Sequence, residues 1–391
     1  MRKTPLALAV LGALALALAA TAQETPAPQD LDLRASDGTK LKATYFAARK
    51  EGPGVLLMHQ CNQQRKKWDE LAAKLAAAGI HVLTVDYRGY GESGGNRFLD
   101  IPGPERVQTV REKWPGDMDT AYGYLLSQKG VTHGIAGAGG ASCGVNQAIQ
   151  LARRHPEVRS LVLLSGNTDL DGRNFLRKST QVPILLSAAD DDQGAVELME
   201  WLYALSPNPG SKFVHYQSGG HGVDMFAPHR ELPDLIVDWY VQTLLNTPGE
   251  APAVKTRTTT PEQVKTLNLL DEPGGATKVT ERLNEVRKKD PHANLFDEGL
   301  ANVIGYEHLQ TGDRNDAIEI FKLSVLAYPN SPNVYDSLSD GYVADGQKDL
   351  ARENAKKALA LLASDTTDDE ARRRAIQESA EGKLKQLGGN Q

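Results

Sequence analysis

The chain has 391 residues, with 44 lysines and arginines against 50 aspartates and glutamates, a formal net charge of −6 and two cysteines. That balance gives no basic stripe of the kind nucleic acid demands, and one pair of cysteines is too few for a disulfide-built scaffold. The length allows two domains, and past the first residues no apolar run is long enough to span a bilayer.

The first predicted element is a targeting segment. Arg2 and Lys3 precede an apolar run from Pro5 to Ala20, and Ala20-Thr21-Ala22 offers a small-x-small cleavage site. Residues 1–22 therefore read as a secretory signal peptide, cut between Ala22 and Gln23, rather than as an uncleaved anchor. No cysteine follows the cut, so lipid attachment is not expected. The mature chain is expected in a bacterial periplasm or outside the cell, and not in the membrane.

Residues 31–246 alternate short apolar runs with amphipathic stretches. Two early strands are expected within residues 31–47, around Asp37-Gly38, a hairpin-type turn. Further apolar runs fall at Gly54–Met58, His81–Val85, Gly134–Ala138, Ser160–Leu164, Pro183–Ala188 and Lys212–Tyr216. Helix-like segments lie between them at Trp68–Ala78, Asp117–Leu126 and Val145–Arg154. Alternation of this kind predicts a mostly parallel sheet with helices on both faces.

Residues 247–262 are rich in threonine, proline and glycine and read as a linker. Thr260-Pro261-Glu262-Gln263 closes it with a helix-start pattern, threonine as N-cap and proline at the first helical position. Residues 263–391 look entirely helical. Gly312 recurs as Gly346 and Ala317 as Ala351, each after the 34 residues of a helix-turn-helix repeat. With Gly305, Phe321 and Pro329 in one copy and Tyr335, Leu338, Tyr342 and Ala358 in the other, residues 298–364 resemble tetratricopeptide repeats. The pattern is incomplete: His308 stands where an aromatic is usual, and Ala363 replaces the closing proline. Flanking helices near 277–289 and 367–386 are expected to cover the pair, the last opened by Thr367-Asp368-Asp369-Glu370 as a capping box. Such modules bind a protein or peptide partner, or simply pack on the preceding domain.

The chemistry is expected at Gly140-Ala141-Ser142-Cys143-Gly144, which fits Gly-x-Ser-x-Gly between an apolar run and a helical stretch. A strained turn there needs small neighbours two positions away. Ser142 has Gly140 and Gly144, whereas Cys143 would have the β-branched Val145, so Ser142 is the better nucleophile. A serine hydroxyl needs a base and an acid to orient that base. His221, in Ser218-Gly219-Gly220-His221-Gly222 just after an apolar run, is the candidate base. The acid falls in Asp190-Asp191-Asp192, with Asp192 placed best by counting and Asp191 next.

With the order Ser142, Asp192, His221, and with Asp86-Tyr87-Arg88-Gly89-Tyr90-Gly91-Glu92-Ser93, residues 31–246 resemble the α/β-hydrolases. Within that family the chain looks closest to dienelactone-hydrolase-like and short-chain esterase members. Dienelactone hydrolases use cysteine at the elbow, so the serine here implies ordinary ester hydrolysis. The resemblance makes Asp86 and Arg88 structural. It also implies two oxyanion-hole amides, that of Cys143 and that of Cys61 in Met58-His59-Gln60-Cys61-Asn62, with Gln60 as the alternative. Gln60 replaces the usual glycine there and is expected to narrow the pocket. Two amides on one oxygen lie about as far apart as bridged cysteines do. A Cys61–Cys143 disulfide is therefore expected in an exported protein, the alternative being two free buried thiols.

These residues together predict hydrolysis of a small-molecule ester through an acyl-enzyme, with no metal or other cofactor. The rival readings are an inactive hydrolase fold used as an interaction scaffold, and a peptidase of the same fold. The segment Asn96–Trp114 is expected to form a flap over the pocket.

Overall fold

The computed structural model describes residues 25–246, Gln193 excepted, and 261–388. The expected signal peptide, its cleavage site, Thr260 and nearly all of the expected linker lie outside the described residues.

Eight strands form one sheet: β1 (Gln29–Arg34), β2 (Lys40–Phe46), β3 (Gly52–Met58), β4 (His81–Val85), β5 (Val131–Ala141), β6 (Val158–Leu164), β7 (Ile184–Ala189) and β8 (Lys212–Tyr216). Their order is β1-β2-β4-β3-β5-β6-β7-β8. The β1–β2 and β2–β4 pairs are antiparallel, and every later pair is parallel. All residues of β3, β4 and β7 are buried, as parallel strands covered on both sides must be. β5 runs further than its apolar stretch, because the small residues Gly139, Gly140 and Ala141 continue it to the sheet's carboxyl edge.

Helices α1 (Asp69–Ala77), α2 (Gly103–Gln108), α3 (Trp114–Ser127), α4 (Cys143–Arg154), α5 (Leu170–Lys178) and α6 (Ala195–Leu205) lie between strands, and α7 (Glu231–Tyr240) follows β8. Leu71 and Leu75 of α1 and Trp239 and Tyr240 of α7 pack on one face of the sheet. Met118, Ile149 and Trp201, from α3, α4 and α6, pack on the other.

The chain then continues as α8 (Glu262–Leu270), α9 (Gly275–Arg287), α10 (Glu298–Thr311), α11 (Arg314–Ala327), α12 (Pro332–Ala344), α13 (Lys348–Leu362) and α14 (Glu370–Gly388). The expected helix start is displaced by one position, with Pro261 itself in the N-cap place. α10–α11 and α12–α13 are two helix pairs whose turns repeat. Asp313 donates its amide to the His308 carbonyl and Gln347 donates to Tyr342, with Gly312 and Gly346 left-handed at φ 89° and 77°. Gly305 lets the Phe321 ring lie against its helix, since a methyl there would fall 2.5 Å from Cε1. The last helix starts at Glu370 rather than near Thr367. Asp369 is the residue that accepts an amide, from Arg372, while Thr367 turns back to Asp365.

The two parts share one core. Val264, Leu267, Val279, Leu283 and Ile304 belong to the same apolar cluster as Trp201 and Leu202 of α6.

Candidate active site

Ser142 sits between the end of β5 and the start of α4 at φ 54° and ψ −120°, a conformation that costs a side chain energy and turns it out of the strand. Neighbouring glycines make the turn possible. A methyl on Gly140 would collide with the carbonyl of Gly144, and one on Gly144 with the carbonyl of Met58. The motif is therefore a close-packed elbow and not a loose loop. The Ser142 amide is held by the Leu164 carbonyl at 2.8 Å.

β7 delivers the three aspartates, and the structure gives each a different partner. Asp192 Oδ2 lies 2.8 Å from His221 Nδ1, with the carboxyl side chain 13% exposed. Asp191 accepts the amides of Gly219 and Gly220 at 2.9 and 3.0 Å, and these bonds hold its carboxyl below the usual range. Asp190 pairs with His215 at the surface, at 2.7 Å. The counted position thus faces the imidazole, and its neighbour pins the glycine-rich loop that carries it.

His221 follows β8, and its loop abuts the elbow. A methyl on Gly222 would lie 3.2 Å from Cβ of Ala141, so the residues next to His221 and next to Ser142 are in contact. β3 supplies the third wall. Met58 is in register with Gly140, so the segment after β3 emerges beside the elbow. Cys61 and Cys143 are joined there by a disulfide, with Cα atoms 5.8 Å apart.

Gln60 does not narrow a pocket. It is fully buried, and its amide group is spent on the base loop (residues 217–226): Oε1 accepts from the Val223 amide and Nε2 donates to Asp224. His59 is also buried. Its Nε2 accepts the Tyr87 amide and its Nδ1 donates to the Gln60 carbonyl, and burial pushes the imidazole down to about 4, so it is neutral.

Asp86 and Arg88 are structural. Asp86 is buried and accepts the Arg65 amide at 2.7 Å and its guanidinium at 2.5 Å. Arg88 holds Asp117 in a bidentate pair. A cavity of about 770 Å³ opens beside Cys61, walled by the loop after β3, the loop after β4 and Leu99. Lys66, Lys67 and Arg97 line it. From Asn96 to Trp114, Phe98 and Trp114 anchor in the core against Tyr87 and Tyr90, while Leu99 and Val107 are exposed.

An eight-stranded sheet of this order, with an elbow after β5 and a carboxylate–imidazole pair after β7 and β8, has the architecture of the α/β-hydrolase fold. Residues 52–204 match the family described as serine aminopeptidase, S33. Two uncharacterized proteins of Mycobacterium tuberculosis strains are each 33% identical over 147 residues, which is 37% of this chain and 48% of the relative. The chain thus spans about half the length of the curated relatives it matches. Among solved structures it is similar to the Pyrococcus furiosus esterase Pf2001, at 18% identity, 55% of this chain, 91% of that chain and TM-score 0.45. It is also similar to a dienelactone hydrolase from Anabaena variabilis, at 19% identity, 56% and 100% coverage and TM-score 0.45. Est1E of Butyrivibrio proteoclasticus, solved with ferulic acid, stands at 18% identity, 56% and 100% coverage and TM-score 0.45.

Proposed function

We propose that the protein is a serine hydrolase that transfers the acyl group of a carboxylic ester to water. The observation that carries this reading is the Asp192–His221 pair, whose loop packs against Ala141, the neighbour of a positive-φ Ser142 at the head of α4. His221 Nδ1–H donates to Asp192, which leaves Nε2 as the basic nitrogen. That nitrogen takes the Ser142 proton as Oγ attacks the carbonyl carbon, and Asp192 offsets the imidazolium charge. The amides of Cys61 and Cys143 receive the oxyanion. The imidazolium then protonates the leaving alcohol, and a water activated by the same nitrogen cleaves the acyl-enzyme.

Covalent labelling by a fluorophosphonate probe tests the reading. Wild type is expected to label and Ser142→Ala not to. Equal labelling would sink the enzyme and leave the scaffold reading. The family description favours a second reading, a peptidase, which would cleave aminoacyl anilides as well as aryl esters, whereas an esterase would leave the anilides untouched.

The disulfide is part of the same proposal. It closes a separation of 82 residues, for which chain entropy allows up to roughly 4–5 kcal/mol of stabilisation. Cys61→Ala with Cys143→Ala keeps both backbone amides, so any kinetic loss reports their spacing. A lost oxyanion donor costs 10²–10³ in kcat, and a displaced one is expected to cost about tenfold. Full thiol release with unchanged kcat would remove the bridge from the mechanism.

Export with cleavage before Gln23, read from the mass of the mature chain, belongs to this proposal. So does a role for the helical repeats in binding a protein or in packing.

A further inference from the structure

Gln60 is the one polar side chain on the segment after β3 that is both fully buried and directed across the site. Its Oε1 lies 2.9 Å from the Val223 amide, and its Nε2 lies 3.2 Å from Asp224 Oδ2 and 2.9 Å from Asn62 Oδ1. Val223 and Asp224 lie two and three positions after His221, inside the short 3₁₀ turn Gly222–Phe226. Gly222, at φ 61°, is where this contact is tightest: a methyl there would collide with Gln60 Oε1. The glycine is thus required twice, by its left-handed backbone and by the side chain packed against it.

We infer that Gln60 is a positioning residue, which fixes the base loop to the segment that carries one oxyanion amide. The inference rests on the serine-hydrolase reading above. Asp191 already ties the near side of the base loop through the amides of Gly219 and Gly220. Gln60 ties the far side, so His221 is held between two anchors. The Cys61–Cys143 bridge ties the same segment to the elbow. Base, nucleophile and oxyanion amides are then referred to one short stretch, residues 59–62. A serine–imidazole pair is sensitive to such anchoring, because a misplacement of about 1 Å costs ~10²-fold in rate.

The donor and acceptor roles are separable by substitution. Gln60→Met keeps the shape and removes both bonds. Gln60→Glu keeps the Oε1 acceptor, and its second oxygen can donate to Asp224 only while protonated. The ionisable groups facing position 60 are Asp224 from the base loop and His59 from its own segment, the latter neutral. Burial and Asp224 therefore both raise the carboxyl of a glutamate there.

The experiment is a kcat and KM measurement on aryl esters from pH 5.5 to 9, with thermal melts and fluorophosphonate labelling of each variant. Gln60→Met is expected to lower kcat about 10–100-fold with KM within about threefold. The activity of Gln60→Glu relative to wild type is expected to fall as pH rises, because the donor is lost on ionisation. A folded Gln60→Met with wild-type kcat overturns the inference, as does a Gln60→Glu ratio that is flat with pH. If Gln60→Met does not fold, the pH dependence of Gln60→Glu decides alone. A wild type that neither labels nor turns over esters sinks the parent reading instead, which keeps the two failures apart.

Discussion

Asp192→Asn is expected to lower kcat about 10⁴-fold, while Asp191→Asn keeps it within about threefold. The first figure is the loss seen when the acid of a serine–histidine–aspartate triad becomes an amide in the trypsin-like template. The physical reason transfers to this geometry. Asp192 Oδ2 accepts from His221 Nδ1 at 2.8 Å. An asparagine can present an N–H there, and the imidazole then moves its proton to Nε2, the nitrogen that must accept from Ser142. Asp191 touches no imidazole and binds two backbone amides at the exposed side of the loop. An asparagine at 191 still offers one oxygen, so the loop keeps an acceptor and loses a charge that solvent screens. Steady-state kinetics on an aryl ester, with Ser142→Ala as the floor, separates the two aspartates. If Asp191→Asn falls as far as Asp192→Asn, the assignment of the acid is wrong.

The middle of the sheet was legible because its strands β3, β4 and β7 are buried on both faces. His81–Val85 appears with those bounds, and so does Lys212–Tyr216, an edge strand whose residues are only partly covered. The elbow was legible because close packing leaves only glycine at positions 140 and 144. What the residues did not announce is polar contact over long separations. Gln60 reads as an odd substitution for glycine, and its partner Val223 lies 163 residues on. Arg173, which no motif singles out, is fully buried, with partners 98 and 134 residues away. Periodicity gives a side chain's face on its own element, and says nothing of a second element that later covers that face. The linker-like composition of 247–262 left open whether the helices pack on the preceding domain, and α6 and α8 share one apolar cluster.

Arg173 yields the largest expected effect on stability. Its guanidinium holds Asp271 through two bonds, at 2.8 and 2.9 Å, reaches Glu307 at 2.6 Å and the Thr168 carbonyl at 2.6 Å, and stacks on Trp201. Burial opposes its charge, but the two carboxylates outweigh burial and keep it protonated. Asp271, which also takes Arg177, is held below the usual carboxylate range, whereas burial pushes Glu307, with its single bond, above it. α5 of the hydrolase part is in this way joined to α10 and to the residue that ends α8. Removing one partner of such a cluster leaves buried charge uncompensated and costs about 3–5 kcal/mol. Arg173→Ala is expected to lose that much in urea unfolding. Replacing the cluster whole, Arg173→Met with Asp271→Leu and Glu307→Met, is expected to cost far less, because no fully buried charge is then stranded and only the solvent-reaching Arg177 loses its carboxylate. The shared core further predicts one cooperative transition for the full chain. Two separate transitions, with Arg173→Ala shifting neither, would mean that sheet and helices stand independently and that the cluster is only a surface of contact.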